Sequence, residues 1–128
     1  PENVKFIQEA LFGATNEPGG TSYSSRHFKS KYIFAGKTGT SQVKKFTEEQ
    51  REKKVKYTDL KYKDRDHALF SAFFPYKNPK YSISVVIEHG GSGSSVAAPI
   101  AKKIIQKVID RDELRSSIQN KIFEIEEV

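Results

Sequence analysis

The sequence contains no cysteine and no methionine among its 128 residues. The lack of cysteine excludes disulfide frameworks and thiolate metal sites, and it leaves the redox compartment undetermined. No apolar run approaches the roughly 20 residues that a membrane span needs, and no signal peptide opens the chain. Because the sequence starts at Pro1 without any methionine, we expect a piece of a longer protein, so missing targeting segments say little about location.

The residues that are present have the composition of an ordinary globular domain. Hydrophobic residues make up 36% of the chain, charged residues 30% and aromatic residues 12%, which favours one small folded domain over a disordered chain. The net charge of +6 favours anionic partners such as nucleic acid, anionic lipid or carboxylate-bearing substrates. Acidic residues interleave with the lysines and arginines throughout, so the charge is also typical of a solvated surface.

Hydrophobic periodicity and turn residues predict a helix, three strands and a second helix. The expected ranges are a helix over 2–14, a strand near 31–46, strands over 68–74 and 81–88 joined by a proline-containing hairpin turn, and a helix capped by Ser94 or Ser95 and ending near Asp110. This order predicts an α+β fold, in which helices flank an antiparallel β-meander.

Three further expectations concern the second helix and the connections. The helix is expected to bury one apolar stripe, formed by Val96, Ile100, Ile104 and Val108 and widened by Ile105 and Ile109. Residues 47–65 form a charge-dense connection with a possible short exposed helix over 48–54. Residues 112–128 are expected to form a polar tail or a second short helix.

The tetrapeptide Lys37-Thr38-Gly39-Thr40 carries the chemistry in the first predicted strand. Glycine inside a strand often marks a place where another backbone or a ligand approaches closely. Together with Gly36, these residues suit an extended peptide carboxylate lying against the strand. From the tetrapeptide alone, an exposed edge strand with solvated lysine and threonine side chains explains the pattern equally well. Strand alternation places Lys37 and Gly39 on one face and Thr38 and Thr40 on the other.

The wider sequence resembles the transpeptidase domain of class B penicillin-binding proteins, most closely the elongation-type penicillin-binding protein 2 group. A K-T-G triplet is one of three signatures shared with class A β-lactamases. The similar blocks are Ala35–Val43 with the K-T-G strand, Asp66–Pro75, the turn residues Asn78-Pro79-Lys80, Ile83–Gly91, and Ala97–Ile100 at the start of the C-terminal helix. The resemblance covers roughly residues 20–110.

This resemblance implies a fold and a set of residue roles. Residues 1–111 would form the C-terminal half of a penicillin-binding protein or serine β-lactamase-like transpeptidase fold, with 112–128 as a tail. Lys37 would set the proton balance beside the nucleophile and attract the substrate carboxylate. Thr38 would bind that carboxylate through its hydroxyl, with Gly39 and Thr40 lining the same site. The Thr40 backbone N–H would be one of two oxyanion-hole donors.

The resemblance also implies an activity for the parent protein. It would be a serine-type peptidoglycan D,D-transpeptidase that cross-links D-Ala-D-Ala stem peptides, is acylated by β-lactams and works at the extracytoplasmic (periplasmic) face of the bacterial inner membrane. It needs no metal and no organic cofactor, and no nucleic acid is expected as a partner.

The nucleophile of this family is a serine in an S-x-x-K signature, and the chain lacks a credible one. Ser41 and Lys44 match the spacing, but i and i+3 on a strand point to opposite faces, so Lys44 cannot deprotonate Ser41. Tyr76-Lys77-Asn78 resembles a Y-x-N variant of another signature, but it lies in a turn after the K-T-G strand. The 128-residue chain alone is therefore expected to be inactive.

The sequence alone leaves two other functions open, and it also leaves the roles of the histidines to be assigned. A phosphate site is conceivable at Gly90-Gly91-Ser92-Gly93, since a helix start follows a strand there, although no nucleotide-binding signature is complete. A small basic nucleic-acid module would use Tyr57, Tyr62 and nearby lysines, although interleaved acids weaken that case. None of the three histidines fits a zinc spacing. His67 and His89 are expected to be structural residues at strand ends, while His27 lies on the loop that enters the motif strand, where a role beside the substrate stays open.

The last expectation concerns self-association. In the resembled family the strand over 81–88 is internal, and its neighbour belongs to an earlier part of the domain. In this chain the strand would leave an unpaired apolar edge at Ile83, Val85 and Ile87, which favours pairing with another copy.

Overall fold

The computed structural model describes residues 2–45, 47–49 and 56–126. The helices and strands are, in chain order, α1 (Glu2–Asn16), β1 (Ala35–Ser41), β2 (His67–Phe74), β3 (Tyr81–Ile87) and α2 (Ala98–Glu126). Short 3₁₀ turns occupy Tyr23–Ser25, Ser30–Tyr32, Tyr57–Asp59 and Tyr62–Asp64. Apart from residues 48 and 49, the expected short helix over 48–54 lies outside the described residues.

The strands form one antiparallel sheet in the order β1-β2-β3, which confirms the predicted meander. Gly36 lies opposite Ala72 across the first pair, and Phe70 lies opposite Val85 across the second. The predicted hairpin turn joins β2 to β3, where the Lys80 N–H donates to the Phe74 carbonyl over 3.0 Å. Both predicted hairpin strands are correct to within one residue at each end.

The core lies on the sheet face that α2 covers. Ala68, Phe70, Ala72 and Phe74 alternate along β2 toward this face, as the period of two predicts. Phe70 packs edge-on against Phe34, with 6.1 Å between the ring centroids. Both phenylalanines are fully buried.

The face of α2 that enters the core differs from the expected one. Ala97, Ala98, Ala101, Ile105 and Ile109 are buried against the sheet, and the alanines let the helix axis approach the strands closely. Among the expected stripe residues, Val96 and Val108 are only partly buried, while Ile100 and Ile104 are 37% and 40% exposed. The prediction was correct for Ile105 and Ile109, which lie in the core, and wrong for Ile100 and Ile104.

The ends of the elements also differ from the prediction in several places. The first strand begins at Ala35 rather than near residue 31, because a 3₁₀ turn occupies Ser30–Tyr32. It ends at Ser41 rather than near residue 46, and the Val43 N–H donates to the Asp66 side chain over 3.0 Å. The C-terminal helix is capped by Ser92, whose hydroxyl accepts from the Ser95 N–H, and it opens with a wide turn over Gly93–Ala97. It does not stop near Asp110 but continues to Glu126, so the expected polar tail is helical as far as described.

The side chains of β3 are less exposed than expected. Val85 is buried, and Ile83 and Ile87 pack against the core on the α2 side. Strand β3 pairs only with β2 among the described residues, so the open feature of this edge is its backbone rather than an apolar side-chain row. Val86, on the opposite face, is the large apolar residue of β3 with the greatest exposure, at 57%.

Candidate active site

The motif strand β1 is held by the C-terminal end of α1. The Thr15 hydroxyl donates to the Gly36 carbonyl and accepts from the Gly36 N–H, both over 3.1 Å. The side-chain amide of the next residue, Asn16, donates to the Phe34 carbonyl over 2.9 Å. Thr15 is fully buried, as is Ser22, whose hydroxyl lies 3.2 Å from that of Thr15. Two side chains of α1 therefore take the place of a neighbouring strand at the start of β1.

This clamp determines which backbone groups of β1 are open. Because both polar groups of Gly36 bond to Thr15, they point away from β2, so Gly36 and Ala72 form a non-hydrogen-bonded pair of the ladder. Such pairs alternate with hydrogen-bonded ones along an antiparallel ladder. Thr38 and Thr40 lie two and four residues after Gly36, so their N–H and C=O groups point to the same side of β1 as those of Gly36. That side is the free edge of the sheet.

The side chains of Lys37 and Thr38 meet at this free edge. The Lys37 ammonium donates to the Thr38 carbonyl over 2.9 Å and lies 3.4 Å from the Thr38 hydroxyl. The Thr38 hydroxyl in turn donates to the hydroxyl of Thr21 over 3.1 Å. An ammonium and two hydroxyls thus converge within hydrogen-bonding distance. Sequence reasoning missed Thr21, because nothing in its polar loop connects it to a strand that begins fourteen residues later.

The expected division of the side chains between the two sheet faces is confirmed. Lys37 and Gly39 lie opposite Ser71 and Leu69, on the face away from α2. Thr38 and Thr40 lie opposite Phe70 and Ala68, on the α2 face. Lys37 and Thr40 are exposed, and Thr38 is half-buried.

The two glycines of the strand serve packing within the protein. A Cβ added at Gly36 would lie 2.5 Å from the Ser71 carbonyl oxygen and 2.7 Å from the Phe70 ring, so no side chain fits there. At Gly39 the nearest atom would be the Leu69 Cβ at 3.3 Å, which is tight but less severe. The close approach that we predicted at Gly36 is therefore made by the core and by β2, not by a ligand.

The structure also agrees with the expectation that Ser41 and Lys44 do not act as a catalytic pair. Ser41 is the last residue of β1, and the Lys44 ammonium lies 3.5 Å from the Asp64 carboxylate. Tyr76, the other residue that imitated a family signature, packs its ring on Phe12 with 4.5 Å between centroids. Its N–H donates to the Ile33 carbonyl, so this residue holds the hairpin turn against α1 and the loop before β1.

His67 and His89 occupy structural positions near strand ends, as expected. The His67 Nδ1 accepts from the His89 N–H over 2.9 Å, and the His89 Nδ1 lies 3.0 Å from the Arg65 carbonyl. His27 packs edge-on against Tyr32 with 4.5 Å between centroids. Burial lowers the pKa of His27, and the positive charge of Lys102 lowers this pKa further. The described residues contain no cluster of three or more acidic or histidine side chains that could hold a metal ion.

The residues behind the alternative functions have other contacts. A Cβ at Gly93 would lie 2.5 Å from the carbonyl oxygens of Gly39 and Leu69, so this glycine allows the residues before α2 to pack closely on β1 and β2. The Tyr62 ring packs against His89, and its hydroxyl donates to the Glu88 carbonyl.

Nothing in the described part of the chain forms a helix both long enough and apolar enough to cross a membrane.

Ionic contacts tie α2 to the loop that precedes β1. Tyr32 donates a hydrogen bond to the Asp110 carboxylate, and this bond holds the pKa of Asp110 below its ordinary range. The Lys31 ammonium lies 2.7 Å from the Glu113 carboxylate, which raises the pKa of Lys31. These contacts fix the entry to the motif strand on one side, while the α1 clamp fixes it on the other.

The antiparallel meander, the covering C-terminal helix and the K-T-G edge strand together define a penicillin-recognising transpeptidase fold. The penicillin-binding protein transpeptidase domain family matches residues 1–106, and the chain belongs to that family.

Relatives and solved structures point to one group within the family. The chain is 40% identical over 104 residues to the peptidoglycan D,D-transpeptidase MrdA of Salmonella typhimurium, covering 81% of this chain and 16% of that protein. The penicillin-binding protein 2 of Helicobacter pylori, solved in complex with MreC, superimposes with a TM-score of 0.68 at 31% identity over 85% of this chain and 17% of that one. The Pseudomonas aeruginosa PBP2 in complex with WCK 5153 gives 0.62 at 30% identity over 84% of this chain and 20% of that one. The chain thus spans about a sixth to a fifth of the proteins that it matches.

Proposed function

We propose that this chain supplies the K-T-G strand of a peptidoglycan D,D-transpeptidase that acts by serine acyl transfer. Its residues 1–111 belong to the transpeptidase domain of a parent protein, which works at the periplasmic face of the inner membrane. The observation that carries the proposal is the free edge of β1, where an ammonium, two hydroxyls and outward-pointing backbone groups lie together.

The side chains at this edge suit a carboxylate. The Lys37 ammonium provides the opposite charge, and the hydroxyls of Thr38 and Thr21 provide donors of adjustable direction. A carboxylate that binds here replaces the Thr38–Thr21 contact and the Lys37 contact to the Thr38 carbonyl. The terminal carboxylate of a D-Ala-D-Ala stem peptide is the substrate group that we assign to this site, and the carboxylate of a penicillin takes the same place.

The backbone of the same strand suits the acyl-transfer step. The Thr40 N–H points to the free edge, where it donates to the oxyanion that forms when a serine attacks the penultimate D-Ala carbonyl. One such donor contributes about 3–4 kcal/mol to transition-state stabilisation in well-studied acyl transferases. The serine, its S-x-x-K lysine and the second donor come from the parent protein rather than from a motif of the described residues.

The test uses the full-length parent protein and the rate of acylation by a fluorescent penicillin. Lys37→Ala and Thr38→Val should each slow acylation by about two orders of magnitude or more, because each removes an interaction with the reacting ligand. Unfolding temperatures should change little, since Lys37 is exposed and Thr38 half-buried. Lys5→Ala, on an exposed part of α1, is the matched control. Acylation at the unchanged rate in both motif variants would refute the assignment.

A further inference from the structure

The outer face of α2 carries an apolar stripe that the fold leaves exposed. From residue 100 to residue 125, positions on this face follow the alternating four-and-three spacing of a coiled-coil seam, which keeps side chains in line along a helix. Five of these positions are apolar, namely Ile100, Ile104, Leu114, Ile118 and Ile125, and their exposed fractions run from 37% to 75%. The buried residues of α2 lie on the opposite side of the helix.

The second half of α2 is exposed to solvent, although its Glu113 forms the ion pair with Lys31. Every residue from 113 to 123 is exposed, and the helix continues without interruption to Glu126. Helical segments in water gain most of their stability from packing an amphipathic face rather than from backbone bonds alone. An extended helix that carries several exposed isoleucines is therefore typical of a segment that packs against a partner.

The remaining three positions of the stripe decide the chemistry of that partner. They are Lys107, Arg111 and Lys121, and none of the stripe positions is acidic. No carboxylate among the described side chains forms an ion pair with any of these three cations. A second copy of this stripe, in whatever register it paired, would place each cation opposite another cation or an apolar side chain. A membrane surface suits the stripe poorly too, because cations flank the apolar face of interfacial helices instead of lying in its centre.

We propose that the outer face of α2, from Ile100 to Ile125, is the docking surface for an acidic amphipathic helix. The partner presents an apolar seam, interrupted by glutamate or aspartate residues that face Lys107, Arg111 and Lys121. At a rise of about 1.5 Å per residue, the stripe extends for about 38 Å, which is the length of a partner helix of some 25 residues. The family match ends at residue 106, so most of this surface lies beyond it.

The experiment measures binding of two synthetic helical peptides to the full 128-residue chain by fluorescence anisotropy. Both peptides carry leucine at five seam positions. The first has glutamate at the three positions that face the cations, and the second has lysine there. The glutamate peptide should bind about tenfold more tightly or better. In the chain with Lys107→Glu, Arg111→Glu and Lys121→Glu, this preference should reverse.

A matched control separates the seam from net charge. The variant Lys5→Glu, Lys63→Glu and Lys80→Glu changes the charge equally at exposed positions outside α2, and it should keep the original preference. Circular dichroism verifies that each variant stays folded. The proposal is overturned by equal binding of the two peptides, by a preference that the seam variant does not reverse, by a dimer that the seam variant abolishes, or by binding of the chain to phosphatidylglycerol vesicles and to neither peptide.

Discussion

Replacement of Thr15 by valine tests how the motif strand is held. Thr15 lies on α1, distant in sequence from the motif, yet its hydroxyl forms both hydrogen bonds to Gly36 that a neighbouring strand would otherwise form. Valine has nearly the same shape, so the substitution removes the hydroxyl without opening a large cavity. The fully buried position leaves no room for water to take over. The perturbation therefore acts on one hydrogen-bonding group.

The expected loss follows from the groups left without partners. In the valine variant, both the N–H and the C=O of Gly36 lose their partner within a buried site. Each buried polar group left unsatisfied costs about 1–3 kcal/mol, so the loss of both partners should lower the free energy of unfolding by about 2–6 kcal/mol. Thr15→Ser is the matched control, since it keeps the hydroxyl and removes one methyl group, at a cost of about 1 kcal/mol.

Urea denaturation followed by circular dichroism measures these differences, and hydrogen exchange of the Gly36 amide locates them. We expect the Gly36 N–H to exchange much faster in the valine variant and at nearly the wild-type rate in the serine variant. The reasoning would be wrong if valine and serine lowered the free energy of unfolding equally. It would also be wrong if the Gly36 amide kept its protection in the valine variant.

Three further predictions concern pH, covalent chemistry and self-association. Burial, with the charge of Lys102, lowers the pKa of His27 below its ordinary value of 6.5. As the pH falls through 6.5, His27 therefore takes up a proton more readily in the unfolded chain than in the folded one. The free energy of unfolding should fall as the pH is lowered through 6.5, the ordinary pKa of histidine. His27→Gln should reduce this fall in urea titrations, and an equal fall in both proteins would contradict the prediction. Mass spectrometry of the chain incubated with penicillin should find no adduct, and a penicilloyl group on Ser41 would contradict the predicted inactivity. Self-association through the open edge of β3 should weaken in Val86→Lys, because a charge on an edge strand opposes pairing; sedimentation measures it, and a wild-type chain that stays monomeric at high concentration would rule it out.

The strands and the motif could be predicted because their signals are local. The hairpin strands β2 and β3 are rich in aromatic and β-branched residues and are bounded by proline and glycine, so both were found nearly residue for residue. The predicted face of each motif side chain is correct for the same reason, since alternation along a strand depends only on position. A resemblance spread over several blocks then identified the family that the later comparison established.

The helix boundaries show the limits of such local signals. The segment after Asp110 is polar but contains no proline or glycine. Because polarity alone does not end a helix, α2 continues to Glu126. Ile100 and Ile104 looked like core residues because they are apolar at helical spacing. The sheet instead packs against Ala97, Ala98 and Ala101, since small side chains permit the closest approach.

The sequence by itself determined the class of fold, the hairpin strands and the side of the sheet on which each motif residue lies. Only the tertiary structure decided which face of α2 is buried, which atoms hold β1, and which hydroxyl joins Thr38. These depend on contacts between residues far apart in the chain, such as Thr15 with Gly36 and Thr21 with Thr38. The hydrophobic pattern of one segment does not show which other segment it will contact, because such contacts form only when the segments pack together.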